Sequence, residues 1–114
     1  MNKKLDFYCQ EILAGKTSIK VEYESEQVLA FHHTKPSFAT HIVIIPKKHI
    51  ESLTAIKPSD HPILVEILEV AKDLTIRLGL EKNGAKIITN MGIFQDTPHL
   101  HVHLLSGEKY NTFI

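Results

Sequence analysis

Three histidines alternate with large apolar residues in the stretch His99-Leu100-His101-Val102-His103-Leu104-Leu105, close to the C-terminus. Because strand side chains point alternately to two faces, this pattern predicts a strand with all three imidazoles on one surface and the apolar residues against a core. Histidine is the side chain whose unperturbed pKa lies closest to neutral pH. We therefore expect the chemistry of this protein at this histidine row.

Length and composition predict one domain over residues 1–114, since a chain of 114 residues with 43% hydrophobic content can bury one core of ordinary size. The 13 basic residues balance the 13 acidic ones, and no run of lysine or arginine exceeds a pair. A broad cationic footprint is absent from such a sequence, so we expect no nucleic-acid partner.

The sequence also indicates a compartment. Cys9 is the single cysteine, which excludes an internal disulfide and fits a reducing environment. No apolar stretch approaches the length of a membrane span, and the N-terminal residues lack the apolar core of a signal peptide. We expect a cytoplasmic protein with no membrane partner.

The remaining segments predict an α+β fold in the order α, β, β, β, α, β, β. In chain order they are a short helix over residues 5–13 closed by Gly15, a hairpin of strands 19–23 and 28–31, a buried strand 41–45 ended by Pro46, a long helix capped by Ser59 or Asp60 and stopped by Gly79, a strand 85–89, a polar loop 90–98 and the histidine strand. Tight turns and one long crossover helix favour a mostly antiparallel five-stranded sheet, with one long and one short helix packed on it.

The histidine row has three interpretations from the residues alone. It could be an inert, solvated sheet face. It could bind a metal, since strand histidines two apart can both reach one zinc ion, with Cys9, His49 and Asp6 as further donors. It could also be a nucleophilic site at phosphorus, in which a neutral imidazole attacks while an acceptor holds its other ring nitrogen.

The stretch 99–105 fits the pattern His-φ-His-φ-His-φ-φ, where φ is apolar, and the chain resembles histidine triad (HIT) proteins, most closely the Hint branch of nucleotide hydrolases. Three upstream segments are also similar: Phe31-His32-His33-Thr34-Lys35-Pro36, Ile44-Ile45-Pro46-Lys47-Lys48-His49, and the Asn90–Gln95 loop. The resemblance covers residues 5 to 107. It implies a two-fold homodimer that hydrolyses purine nucleoside phosphoramidates or adenylylated compounds, with no cofactor required.

The resemblance also implies roles for individual residues. His101 would be the nucleophile that forms a nucleotidyl-histidine intermediate, and His103 would hydrogen-bond phosphate oxygens. His99 would orient His101 through its backbone carbonyl, and His49 would complete the catalytic histidine set. Asn90 would contact the phosphate or sugar edge, and Gln95 the bridging region.

The base is expected in an apolar slot that includes Phe7 and Phe31 beside Tyr8, although ordinary core packing is an equal alternative for these aromatic rings. His33 stands where relatives carry an aspartate that binds the ribose hydroxyls, and it is expected to weaken nucleoside binding.

Two further departures concern charge and metal. Asp96 stands where relatives commonly have a serine or threonine that donates to phosphate, and a carboxylate there repels phosphate. Many bacterial relatives bind zinc through a Cys-x-x-Cys pair, the histidine equivalent to His49 and the first triad histidine. Asp6 replaces the first cysteine here, so we expect no tight structural zinc.

Two alternative functions stay open. One is a dinucleoside polyphosphate hydrolase of the Fhit type, which uses the same nucleophile but releases a nucleotide. The other is a nucleotide-binding HIT module that has lost efficient catalysis, for which His33 and Asp96 are the best support.

Overall fold

The computed structural model describes residues 6–110, so Leu5, assigned above to the first helix, lies outside the described residues. Five strands form one sheet in the spatial order β1-β2-β3-β5-β4: β1 (Val21–Glu24), β2 (Val28–His32), β3 (Phe38–Pro46), β4 (Ala85–Ile88) and β5 (Val102–Lys109). Every neighbouring pair is antiparallel. The predicted α+β class and five-stranded sheet are confirmed, with an antiparallel arrangement throughout.

Strand β3 lies at the centre of the sheet, as its run of β-branched residues predicts. It pairs with β2 on one side and β5 on the other. The side chains of Val43, Ile44 and Ile45 are fully buried on both faces. The strand begins three residues earlier than predicted because Phe38 and Thr40 also pair with β5.

The long helix α1 (His61–Arg77) packs on one face of the sheet through Ile63, Ile67, Val70 and Leu74. It ends before Gly79, whose φ of +65° favours glycine. Asp60 occupies the N-cap position as predicted, but its carboxylate does not cap the helix. Instead it accepts the Lys57 backbone N–H at 3.1 Å and pairs with Lys48 at 2.6 Å.

The first helix is shorter than predicted. Residues Tyr8–Ile12 form a single π-helical turn, in which the Leu13 N–H donates to the Tyr8 carbonyl at 2.7 Å. Only Tyr8 and Ile12 of this turn are buried. With so little apolar surface to bury, the segment has no packing that would sustain a longer helix.

The histidine stretch also begins differently. Regular pairing starts at Val102, so His99 and His101 lie in the approach to β5, with His99 in a bend. In this approach the Leu100 N–H donates to the Ile50 carbonyl at 2.6 Å instead of to a neighbouring strand. The alternation nevertheless holds: Leu100, Val102 and Leu104 belong to the core beneath α1.

The imidazoles face the other side of the sheet. There a second apolar cluster contains Tyr8, Ile12, Leu29, Phe31, Val43 and Ile45. Within residues 6–110, none of the helices combines the length and apolarity that a membrane span requires.

Candidate active site

The histidine row contains more members than the triad. The ring centroids of His101 and His103 are 5.0 Å apart, and the His41 ring follows 5.0 Å from His103. The His33 ring then stacks on His41 with centroids 4.3 Å apart and planes inclined by 23°. Strand β3 supplies His41, because Val43 pairs with His103 and side chains two residues apart share a face. The row therefore crosses from β5 to the loop after β2.

His101 has its tautomer fixed by the backbone. Its Nδ1 lies 2.8 Å from the carbonyl oxygen of His99, and a carbonyl only accepts, so Nδ1–H donates. In the neutral ring Nε2 then carries a lone pair. Burial lowers the pKa of His101 below its ordinary value, which favours this neutral form. The ring lies against Tyr8, with centroids 5.0 Å apart.

His103 has its tautomer set by a two-step relay. The Ser37 backbone N–H donates to His41 Nδ1 at 3.0 Å, so His41 carries its proton on Nε2. That Nε2 lies 2.8 Å from His103 Nδ1, which must accept. Burial lowers the pKa of His41 to about 3 and that of His103 to about 4, so both rings are neutral at pH 7. His103 thus keeps its proton on Nε2, as a donor that the relay leaves uncommitted.

His33 is fixed in the same way at the far end of the row. The Lys35 backbone N–H donates to His33 Nδ1 at 2.9 Å, which leaves the proton of the neutral ring on Nε2. A carboxylate at this position would accept two hydroxyl groups, whereas neutral His33 offers one donor. The predicted weakening of ribose binding stays a prediction; in the structure the other ring nitrogen of His33 is already used by the backbone.

The opposite end of the row is a compact group of four side chains, Asp6, Cys9, His49 and His99, whose donor atoms all lie within 4.8 Å of one another. His99 Nδ1 lies 3.0 Å from Asp6 Oδ2 and 3.3 Å from Cys9 Sγ. His49 Nδ1 lies 2.5 Å from Asp6 Oδ2 and 3.8 Å from Cys9 Sγ. His49, which was predicted to complete the catalytic histidine set, contacts Cys9 of the N-terminal turn and the His99 ring. The histidine that extends the triad beside His103 is His41.

The donor atoms of this group are suited to binding a cation. His99 Nε2 donates to the Pro46 carbonyl at 2.8 Å, so Nδ1 of the neutral ring presents a lone pair to the Asp6 carboxylate. Two such atoms face each other favourably only across a proton or a metal ion. Burial raises the pKa of Asp6, but the hydrogen bonds that it accepts from Cys9 and a proton shared with His99 Nδ1 outweigh burial and lower it to about 2. Burial and the Asp6 carboxylate raise the pKa of Cys9 to about 11.

These residues fit a zinc-type ion. Ligands at the usual bond lengths of about 2.0–2.3 Å around a tetrahedral centre lie roughly 3.3–3.8 Å apart, a range that includes both distances to Cys9 Sγ, whereas the two distances to Asp6 Oδ2 are shorter. Asp6 and His49 also line an open cleft of about 890 Å³, which gives an ion a path to the site. Asp6 thus supplies a fourth donor at the position where relatives have a cysteine. Whether the chain binds zinc tightly therefore depends on the affinity of this donor set for the ion.

Asp96 faces the nucleophile candidate. Its Oδ1 lies 3.6 Å from His101 Nε2, while 89% of its side chain is exposed to solvent. The neighbouring Gln95 anchors the loop, because its amide nitrogen donates to the Glu51 carbonyl at 2.7 Å and to the Thr97 carbonyl at 2.8 Å. The predicted contact of Gln95 with a substrate stays a prediction; the structure assigns its amide N–H groups to the loop.

The other predicted binding residues differ in their accessibility. Asn90 is half-buried next to Thr89, whose hydroxyl donates to the His101 carbonyl at 2.9 Å. Phe31 is 2% exposed and packs in the cluster under the row, so the core-packing alternative accounts for it. Phe7 is 38% exposed and touches Tyr8 edge-on, which leaves it available to a ligand.

Two contributors were missed by the sequence reasoning. His41 opens the predicted central strand, and alternation with Val43 and Ile45 places it on the histidine face, a signal that the β-branched run obscured. Thr89 carries no comparable signal, because its bond to the His101 carbonyl depends on how β4 ends beside β5.

Comparison with known proteins establishes the family of this chain. A family model described as "Scavenger mRNA decapping enzyme C-term binding" matches residues 7–113. An uncharacterized HIT-like protein of Buchnera aphidicola is 33% identical over 104 residues, covering 90% of this chain and 93% of its own. A solved HIT family hydrolase from Clostridium thermocellum superposes with a TM-score of 0.83 at 32% identity, covering 99% of each chain.

A histidine triad nucleotide-binding protein from Candida albicans superposes with a TM-score of 0.78 at 31% identity, covering 90% of this chain and 75% of that one. With its motif, fold and matching family model, the chain belongs to the histidine triad family. The predicted family and the HIT-like fold are confirmed. Hydrolases and nucleotide-binding proteins are both found among its solved relatives.

Proposed function

We propose that this chain is a nucleotide hydrolase that cleaves purine nucleoside phosphoramidates or similar adenylylated compounds through a nucleotidyl-histidine intermediate. The observation that carries the proposal is the 2.8 Å bond from His101 Nδ1 to the His99 carbonyl, which leaves the Nε2 lone pair free. A neutral imidazole held in this tautomer is an activated nucleophile, and the bound carbonyl stabilises the positive charge that develops on attack.

The first chemical step forms one bond and breaks one. The lone pair of His101 Nε2 bonds to phosphorus while the bond from phosphorus to the leaving amine breaks. The electron pair goes to the amine nitrogen, which takes a proton from solvent. His101 becomes a nucleotidylated imidazolium whose Nδ1–H still donates to the His99 carbonyl. In the second step water bonds to phosphorus, the pair returns to Nε2 and the water proton leaves to solvent.

The phosphate oxygens would be held by neutral donors. The relay from Ser37 through His41 leaves His103 with a proton on Nε2, next to the His101 ring. Preorganised N–H donors are most effective where water is excluded, and His103 is 7% exposed. If a divalent ion is bound by Asp6, Cys9, His49 and His99, it acts as a structural clamp on His99, whose carbonyl holds the nucleophile.

One observation favours the alternative of a nucleotide-binding module without efficient catalysis: the Asp96 carboxylate stands 3.6 Å from the attacking nitrogen. The two functions differ in turnover. We expect steady hydrolysis of adenosine 5′-phosphoramidate and slower hydrolysis of a diadenosine polyphosphate. Calorimetric binding of AMP without turnover of either compound would instead identify a binding module, and the reverse substrate preference would identify a Fhit-type hydrolase.

Replacement of the nucleophile makes the test specific. We expect His101→Asn to reduce turnover on the order of 10⁴-fold while the melting temperature stays within a few degrees. His61→Asn is the matched control, because His61 is exposed at the start of α1 on the other side of the sheet. Equal turnover of the two variants would reject the mechanism.

We also propose a homodimer. Strand β4 is an outer edge of the sheet and most of its residues are exposed. Ile87 of this strand is 50% exposed, and Ile76 of α1, which lines the same surface groove, is 65% exposed. An unprotected edge next to apolar side chains is suited to pairing with a second copy.

A further inference from the structure

Asp96 places a negative charge over the histidine row. Its Oδ1 is 3.6 Å from His101 Nε2, where a phosphorus centre would have to approach. The same charge reaches His33 and His103, whose pKa values it raises against the lowering effect of burial. One carboxylate therefore acts on the nucleophile, on the His103 donor proposed for phosphate oxygens and on the His33 ring at the ribose-binding position.

The row itself supplies donors but little positive charge. His33, His41 and His103 have pKa values lowered by burial, so these three rings are neutral near pH 7. Lys35 is the cation whose charge acts on His33, and it is exposed at the far end of the row. An anion at His101 is thus held by neutral N–H groups and opposed by a carboxylate.

The position of Asp96 is built into the loop. Gln95, the preceding residue, is 9% exposed and its amide is bound to two backbone carbonyls. A carboxylate on a mobile loop could move away from a ligand. Because the backbone before Asp96 is anchored, the Asp96 carboxylate stays within a few ångströms of a ligand at His101. Its electrostatic effect persists even when the side chain rotates, because Coulomb interactions decay slowly at this range.

We propose that Asp96 makes the site select phosphorus centres with one negative charge, such as phosphoramidates and phosphodiesters, against terminal phosphates with two. This inference rests on the proposed function and names the class of substrate. Two unit charges about 4 Å apart in solvent interact strongly enough to change binding about fivefold. The second charge of a dianion therefore costs about that factor. It also favours release of the product, a nucleoside monophosphate dianion.

The test compares two ligands that differ by one charge. AMP is mostly a dianion at pH 7.5, because its second pKa is about 6, whereas adenosine 5′-monomethyl phosphate keeps a single charge. Calorimetry on the unmodified protein should show the methyl ester binding about fivefold more tightly than AMP. Asp96→Asn should tighten AMP binding about fivefold more than it tightens methyl ester binding, because the ester carries the first negative charge and lacks the second.

Two further variants complete the design. Asp96→Ser should behave like Asp96→Asn, since both remove the charge from an exposed side chain. Asp73→Asn is the matched control, because Asp73 is exposed on α1 and pairs only with Lys72 among the described ion pairs. It should leave both affinities unchanged.

The outcomes separate this inference from the proposed function. If both ligands bind but the ratio of their affinities is the same in unmodified protein and Asp96→Asn, the charge-selection inference is wrong and the nucleotide site stands. If neither ligand binds to any variant at millimolar concentration, the proposed function fails and this inference fails with it.

Discussion

The Nε2 of His41 lies 2.8 Å from the Nδ1 of His103, across the pairing of β3 with β5. Because the Ser37 N–H occupies the other nitrogen of His41, this contact has one direction, from His41 to His103. A backbone amide thus decides which nitrogen of His103 offers a proton to a ligand. His41 is a positioning residue in this account, since it acts through His103.

The relay predicts different results for two replacements of His41. In His41→Gln the side-chain Nε2 can still donate to His103, whereas His41→Leu has no donor and leaves the His103 tautomer free. We expect His41→Leu to lower kcat about tenfold, with a smaller effect on KM, and His41→Gln to recover most of the loss. Equal kcat values for the two variants would contradict the relay.

The buried neutral histidines predict a stability that falls in acid. The pKa values of His41 and His103 drop on folding to about 3 and about 4, so between those values and their unfolded values near 6.5 the unfolded chain binds more protons. Stability is therefore full above pH 6.5 and falls as the pH decreases, by at most about 1.4 kcal/mol per pH unit for each group. Urea unfolding at pH 7.5, 6 and 5 measures this slope.

A matched pair of variants assigns the acid sensitivity. His41→Gln should reduce the pH dependence between 7.5 and 5, because one buried titratable ring is gone. His61→Asn should retain the full dependence, because His61 is exposed. A flat stability profile in the unmodified protein would show that both rings accept protons in the folded state.

The four donors around His99 predict metal-dependent stability. A bound ion stabilises the folded chain by about 2.7 kcal/mol when its concentration is a hundredfold above Kd, which corresponds to roughly 10 °C or more in melting temperature. We expect one equivalent of zinc to raise the melting temperature of chelator-treated protein, and Asp6→Asn and Cys9→Ser to reduce the rise.

Cobalt gives a readout at the ligands themselves. Co²⁺ in place of zinc should show a near-ultraviolet band from the Cys9 thiolate, which Cys9→Ser abolishes and Asp73→Asn leaves intact. If zinc changes neither the melting temperature nor the metal content after gel filtration, the expectation from sequence alone, that the chain binds no tight structural zinc, is correct.

The proposed dimer predicts that a charge at its surface separates the subunits. Ile76→Glu and Ile87→Glu should each shift the mass measured by light scattering from dimer to monomer, since both side chains are exposed beside the β4 edge. Ile93→Glu, the same change at a fully exposed loop position, should leave the mass unchanged. A monomeric unmodified protein would contradict the proposal.

The fold was largely predictable from the sequence, because the patterns that specify its strands and helix are local. Alternation placed Leu100, Val102 and Leu104 in the core and the imidazoles on the other face, and the spacing of Ile63, Ile67 and Val70 identified the long helix. The first helix was overestimated, since a pattern of apolar residues does not show how much surface exists for them to cover.

The site was only partly readable, because it depends on contacts between distant segments. The His99 carbonyl and His101 are two residues apart and follow from the motif. The pairing of His41 with His103 and the group of Asp6, Cys9 and His49 join residues 40 or more positions apart. Strand register and the path of the N-terminal turn determine these contacts, and one sequence does not specify either.

The central claim is that His101 Nε2 bonds to phosphorus during turnover. Rapid acid-free quenching of the protein with adenosine 5′-phosphoramidate, followed by mass spectrometry of its peptides, measures this bond directly. We predict a transient nucleoside monophosphate adduct on His101 that is absent from His101→Asn and present in His61→Asn. Turnover without any adduct at His101, or an adduct on another residue, would contradict the account.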